Sequence, residues 1–204
     1  AIEFLQDHAV GEQPWRLTTY RPQNSTKTLN PNIPWLHGLQ DIRGYDSIIS
    51  AQYVQYMRAI EEQGELLYNQ IAPIYHAEHL SSPLLDLLTV RYVISEGEIT
   101  NADYALVYDG EVRIYENLDV LPRAFALPRA EIVSEEELFS RLQSLDPNQL
   151  ILLDETTLGE RQAARLQLTL NDWSLTPATV VAYSPNVVWI DVEMPGPGWL
   201  VLAD

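Results

Sequence analysis

The segment YALVYDGEVRIYEN, residues 104–117, is the feature that most restricts the fold of this chain. Its two halves alternate apolar and polar residues, as antiparallel strands do when one face is buried. Asp109-Gly110 between them predicts a two-residue hairpin turn, because glycine adopts a positive φ at little cost. The strand pattern of RAFALP, residues 123–128, is expected to lie next to this hairpin.

Helical and strand patterns are unevenly distributed along the chain. Helical spacing is concentrated in the first 90 residues, and strand patterns crowd the last 25. This order predicts an α+β fold with a mixed or antiparallel sheet, a helix-rich N-terminal half and a β-rich C-terminal end. We expect an α+β domain over residues 1–178 and the start of a β-rich subdomain over 179–204. The closing run GWLVLAD resembles a strand with no turn after it, so we expect the natural chain to continue.

Composition excludes several classes of function. The formal net charge is -17, which disfavours nucleic acid and anionic lipid as partners, because both require clusters of Lys and Arg. The chain has no cysteine, which excludes disulfides, zinc–thiolate sites and cysteine nucleophiles. The chain has no run of 18 apolar residues, so the sequence predicts no membrane span. No phosphate-binding glycine motif or serine-hydrolase elbow is present.

A proline- and asparagine-rich loop over residues 21–36 contains the best candidate for an exposed aromatic side chain, Trp35. The segment DIRGYDSI follows it, and Arg43, Tyr45 and Asp46 are candidate binding residues there. If the loop and this segment form one surface, Trp35 and Arg43 are expected to affect binding.

The same segment also has an interpretation that needs no ligand. Gly44 would allow a bend, Tyr45 would be the apolar residue before the cap, and Asp46 would cap the following helix. Arg43 would then pair with an acidic neighbour. In this interpretation substitution of Gly44 or Asp46 damages the fold.

Two further groups could carry chemistry. His76 and His79, with Glu78 between them, have a spacing shorter than that of zinc-binding helices. No third ligand is close in sequence, so we interpret them as surface histidines and predict no metal and no cofactor. Asp154 and Glu155 end a strand predicted to be buried, where a hydrolase could place one of its two carboxylates. We favour the simpler interpretation, that these carboxylates solvate the end of the strand.

Four segments in order resemble the extracytoplasmic C-terminal region of the YfhO family of bacterial multi-pass membrane proteins. They are DIRGYDSI, LLDLLTVRYVIS, YENLDVLPRAFAL and YSPNVVWIDVEMPGPGWLVLAD. The resemblance covers residues 2–204, and residues 130–178 match only loosely.

The YfhO family is similar to GT-C glycosyltransferases, which take a sugar from a lipid carrier at the outer membrane face. The resemblance implies a soluble domain at the extracytoplasmic face of the bacterial cell membrane that supports glycosylation of an envelope polymer. Its partners would be the membrane-embedded remainder of the same polypeptide and a lipid-linked sugar or glycan acceptor. The parent protein would be the glycosyltransferase, and no catalytic residue is transferred to this chain. A glycan-binding module and a free-standing carboxylate-dependent hydrolase are the alternatives.

Overall fold

The structure, a computed structural model, describes residues 1–11, 13–22, 25, 28–64, 69–155, 173–184 and 186–204. Helices and strands in mixed sheets confirm the predicted α+β fold with a sheet-rich C-terminal region. The chain divides into two compact units, Ala1–Leu121 and Pro122–Asp204. The boundary expected between residues 178 and 179 falls inside a continuous strand of the second unit. Among the described residues, none of the helices has the length and apolar character that crossing a bilayer requires.

The first unit is built on a four-stranded mixed sheet. The sheet order is β1-β2-β4-β3, in which β1 and β2 are parallel and the other neighbours are antiparallel. The strands are β1 (Arg16–Tyr20), β2 (Val90–Ser95), β3 (Tyr104–Asp109) and β4 (Arg113–Asn117). The helices are α1 (Ile2–Ala9), α2 (Ile33–Leu36), α3 (Ala51–Ile60), a 3-10 helix (Ala77–Ser81) and α4 (Pro83–Leu87). Leu5 of α1 packs on the sheet in a core with Trp15, Leu17, Tyr92, Ile94 and Ile114.

The predicted hairpin is present, but its turn has three residues instead of two. Asp109 pairs with Arg113, and the Gly110 N–H donates to the Val112 carbonyl at 3.1 Å. Gly110 does not have a positive φ. A β carbon there would lie 2.5 Å from the Tyr108 hydroxyl oxygen, so this glycine leaves room for the Tyr108 side chain beside the turn.

The second unit contains a four-stranded antiparallel sheet in the order β10-β5-β8-β9 and a separate parallel pair, β6-β7. The strands are β5 (Ala124–Leu127), β6 (Ala130–Val133), β7 (Ile151–Asp154), β8 (Thr176–Ser184), β9 (Val187–Asp191) and β10 (Trp199–Leu202). The helix α5 (Glu135–Leu142) follows β6. The small core of the larger sheet contains Ala124, Ala178 and Val180.

In this unit the sequence pattern predicts the start of a helix correctly, but the predicted neighbour of a strand is wrong. Ser134 caps α5 by accepting from the Glu137 N–H at 3.4 Å, as the capping-box spacing predicts. The expectation that residues 123–128 lie next to the hairpin is wrong, because β5 pairs with β8 and β10. The β7 strand is only half-buried, since its sheet has two strands.

Asp86 in α4 carries a carboxyl group that the fold partly withdraws from water. Burial raises the pKa of Asp86 to about 6, against the opposing effect of the Asn117 amide, which donates to Asp86 Oδ1 at 2.6 Å. The neighbouring carboxylates of Asp119 and Asp103 raise this pKa further. Folding therefore favours the protonated form of Asp86.

We expect Asp86→Asn to stabilise the first unit at neutral pH. The folded pKa exceeds the unfolded value of about 3.9, so the wild type should lose stability as pH rises from about 4 to about 6. That difference corresponds to at most about 2.9 kcal/mol, and solvent screening of the partly exposed carboxyl reduces the expected gain to about 1–2 kcal/mol. Urea unfolding between pH 4 and 7 measures it. Asp7→Asn, at an exposed position on α1, is the control, and equal pH slopes for wild type and Asp86→Asn would refute the assignment.

Candidate functional site

Trp35 and Tyr45 lie in neighbouring segments of the first unit, and both side chains face solvent. Trp35 in α2 is 82% exposed and Tyr45 is 58% exposed. The Tyr45 N–H donates to Asn32 Oδ1 at 3.0 Å, and Asn32 Nδ2 donates to the Tyr45 carbonyl at 2.8 Å. Because Asn32 directly precedes α2, these two hydrogen bonds fix α2 beside Tyr45. With the exposed Leu36 and Ile48, the two aromatic residues make up what we call the aromatic surface.

Arg43, which the sequence suggested as a binding residue, does not belong to this surface. Its Nη2 lies 2.6 Å from Asp41 Oδ2, its Nε donates to Asp41 Oδ1 at 3.1 Å, and Nη1 donates to the Leu29 carbonyl at 3.2 Å. Both side chains of the ion pair are only 3% exposed. Arg43 therefore holds the loop to the DIRGYDSI segment from beneath, and its guanidinium is closed to a surface ligand.

Asp46 is exposed but does not cap α3, so that prediction is wrong. The helix begins at Ala51, while Asp46 Oδ1 accepts from the Ile48 N–H and the Ser47 hydroxyl, both at 3.3 Å. A short turn around Asp46 thus uses the side-chain oxygen that a cap would have needed. The bend does not require Gly44 either, because its φ is not positive and a β carbon there would have no atom within 4 Å.

A second polar site in the first unit was missed by sequence reasoning. His76 Nδ1 lies 2.9 Å from Glu61 Oε1, and His79 Nδ1 lies 3.0 Å from Glu61 Oε2. These three residues, here called the Glu61–His cluster, have one ligating atom each within 4.8 Å of one another. Glu61 follows the last residue of α3, and its side chain is fully buried, whereas His76 and His79 are 49% and 36% exposed.

The main chain fixes the Glu61 carboxylate independently of the histidines. Oε2 accepts from the N–H groups of Tyr75 at 2.9 Å and His76 at 3.2 Å, and Oε1 accepts from the Glu62 N–H at 3.2 Å. Burial by itself would raise the pKa of Glu61, but the hydrogen bonds from the Tyr75 and His76 amides and from the two histidine rings lower it below its ordinary value. The hydrogen bond to Glu61 raises the pKa of His76. The cluster therefore holds a buried negative charge facing two accessible imidazoles.

Sequence spacing offered no signal for Glu61. It lies fifteen positions before His76, at the end of a helix, whereas ligand motifs are recognised by separations of a few residues. His76 has extended backbone before the 3-10 helix, so the two histidines do not share a regular α-helical face.

The second unit contains a cleft of about 510 Å³. The indole N–H of Trp173 is buried and has no hydrogen-bond partner within the described ranges. The cleft is lined by Leu127, Pro128, Arg129, Asn148, Gln149, Trp173 and Ser174.

Glu155, a candidate carboxylate of a hydrolase, follows the end of β7 and is exposed.

Comparisons with protein-family models, curated proteins and solved structures give no match to this chain. The resemblance to the YfhO family accordingly stays an expectation that rests on the sequence segments alone.

Proposed function

We propose that this chain is a non-catalytic extracytoplasmic domain of a multi-pass bacterial membrane protein, and that it contacts sugar for a GT-C-type glycosyltransferase of the cell envelope. The membrane context comes from the family resemblance. The sugar contact rests on a single structural observation, the aromatic surface around Trp35 and Tyr45.

Exposed aromatic rings suit sugars because a pyranose presents a face of C–H groups that packs against an aromatic face, while its hydroxyls remain in water. Tryptophan and tyrosine supply this area with only two side-chain torsions to immobilise, so little conformational entropy is lost on binding. The hydrogen bonds between Asn32 and the Tyr45 main chain hold the two segments before a ligand arrives, which reduces the cost further.

The charge of the chain supports contact with sugar rings over contact with phosphate. A net charge of -17 opposes a polyanionic ligand, and the guanidinium of Arg43, in the same segment as Tyr45, is already paired with Asp41. We therefore expect the domain to recognise the uncharged part of a lipid-linked sugar or of a glycan acceptor.

The alternative, a glycan-binding module whose site lies in the second unit, is favoured by the Trp173 cleft. There an indole N–H without a partner in the described chain would find an acceptor in a sugar hydroxyl. Arg129, Asn148 and Gln149 could donate further hydrogen bonds.

Trp35→Ala and Tyr45→Ala are each expected to weaken glycan binding by about tenfold or more, with little change in unfolding temperature. A panel of soluble envelope glycans identifies a binder, and calorimetric titration compares the variants. Trp189→Ala, which removes an exposed tryptophan from the second unit, is the matched control and should bind as the wild type does.

Two results would count against this proposal. Unchanged glycan affinity in Trp35→Ala would exclude the aromatic surface as the binding site. If Trp173→Ala loses glycan binding while Trp35→Ala binds normally, the cleft is favoured instead. Turnover of a glycosyl donor by the isolated chain would contradict its non-catalytic role.

A further inference from the structure

We infer that Glu61, His76 and His79 bind a divalent late first-row transition metal ion, of which Zn²⁺ is the test ion. The Glu61–His cluster shares no residue with the aromatic surface, so metal binding there is independent of the proposed sugar contact. The geometry, accessibility and charge of the cluster each favour a metal ion.

The distances in the cluster are close to those of a metal centre. Zinc binds imidazole nitrogen and carboxylate oxygen at about 2.0–2.2 Å, which in a tetrahedral site places neighbouring ligand atoms about 3.3–3.6 Å apart. The two Nδ1-to-oxygen separations are 2.9 and 3.0 Å, and the three ligating atoms lie within 4.8 Å of one another. Both histidine side chains are partly exposed, which gives their rings room to turn toward a shared ion.

The carboxylate is oriented in advance, as outer-shell hydrogen bonds orient metal ligands in known sites. The amides of Tyr75, His76 and Glu62 hold it from the protein side. It faces the two imidazoles, which reach solvent and leave a way in for an ion and for water as further ligands. An accessible histidine pair with a fixed buried carboxylate is a more specific arrangement than two surface histidines.

The local charge favours a cation. Besides Glu61, the exposed carboxylates of Glu62 and Glu78 act electrostatically on His76. The donor set of two imidazoles and one carboxylate suits zinc, copper or nickel better than magnesium or calcium, which prefer oxygen ligands alone.

Metal binding replaces the hydrogen bonds between the histidines and Glu61. Each Nδ1 loses its hydrogen and donates its lone pair to the ion. A neutral imidazole has a single N–H, which is then on Nε2. An imidazolium would release one proton to solvent in this step.

The test is a Zn²⁺ titration of the full chain in competition with a chromogenic chelator. Wild type should bind one ion per chain, and His76→Ala and His79→Ala should each lose about 100-fold in zinc affinity. Removing a residue that only hydrogen-bonds to a metal ligand already costs about 10–100-fold, and removing a ligand should cost no less. His37→Ala, which removes an exposed histidine outside the cluster, should leave the affinity unchanged.

X-ray absorption at the zinc edge provides a second measurement that is independent of affinity. Two imidazoles with oxygen ligands are expected for wild type. Fewer than two imidazoles, or equal zinc affinity in the His76→Ala/His79→Ala double variant and in His37→Ala, would overturn the inference.

Glu61→Gln tests the third ligand, with its fold checked by circular dichroism. It should weaken zinc binding while both histidines remain. If this variant is folded and retains full affinity, the site is a histidine pair alone and the inference is wrong. If it does not fold, the histidine variants and the absorption spectrum decide.

Discussion

Arg43→Ala is expected to lower the free energy of unfolding of the first unit by about 3–5 kcal/mol. The substitution leaves the Asp41 carboxylate buried without its partner. Burial already raises the pKa of Asp41, and the Arg43 guanidinium counteracts that rise through charge and hydrogen bonds. Arg43 also donates to the Leu29 carbonyl, so the variant would free that loop as well.

Urea unfolding measures the loss, and two further variants show its origin. Asp41→Asn in the Arg43→Ala background should recover part of the stability, because it removes the unpaired charge. Arg113→Ala breaks an exposed ion pair with Asp109 and should cost no more than about 1 kcal/mol. Normal stability of Arg43→Ala together with weakened glycan binding would contradict this account and make Arg43 a binding residue.

Gly198→Ala is expected to destabilise the second unit by about 1–3 kcal/mol, although the position is exposed. A β carbon there would lie 2.5 Å from the Leu127 carbonyl oxygen and 2.5 Å from a ring carbon of Trp173. The carbonyl belongs to β5, whose Leu127 pairs with Trp199 of β10, so it cannot move away without disturbing the strand pairing. The Trp173 ring would also shift, and with it one wall of the cleft.

Hydrogen exchange in the peptides that contain β5 and β10 reports this effect without interference from the first unit. Gly44→Ala, in the first unit, is the control for a glycine substitution, because no atom beyond its chain neighbours lies within 4 Å of the added β carbon. It should leave stability unchanged or raise it slightly through the unfolded chain. Equal exchange rates for Gly198→Ala and wild type would show that the strands adjust to the added methyl group at no cost.

Elements with a complete local signal were predictable from the sequence. Alternation predicts the hairpin, proline is favoured at the first residue of a helix, as Pro83 is in α4, and the capping-box spacing of Ser134 and Glu137 predicts the start of α5. Each of these signals depends on residues within one turn or one strand pair. The Asp109-Gly110 pair does not by itself specify a three-residue turn, and Gly110 instead leaves room for the Tyr108 side chain.

Features that depend on distant partners were not predictable. The partners of β5 begin about 50 and 75 positions later, and strand alternation does not specify a partner. Exposure of Trp35 was expected from its position in a polar loop. Burial of Arg43 was not, because its partner Asp41 forms a parallel β-bridge with Leu17 of β1, which is distant in sequence. Glu61 is brought to the histidines by the tertiary fold, and its separation of fifteen positions from His76 matches no ligand motif. The segment LGERQAARLQLTL, residues 158–170, has a spacing that fits both a helix and a strand, and it lies outside the described part of the chain.

The parallel pairing of β1 with β2 also sets the order in which the first unit can form during synthesis. Arg16 pairs with Val90, roughly 75 positions later, and the other side of β1 meets Asp41 and Ile74. At about 5–20 residues per second, the ribosome needs about 4–15 s to supply β2 after β1. For that time Leu17 and its neighbours have no sheet to join, so the nascent chain exposes an apolar strand to chaperones and to other chains.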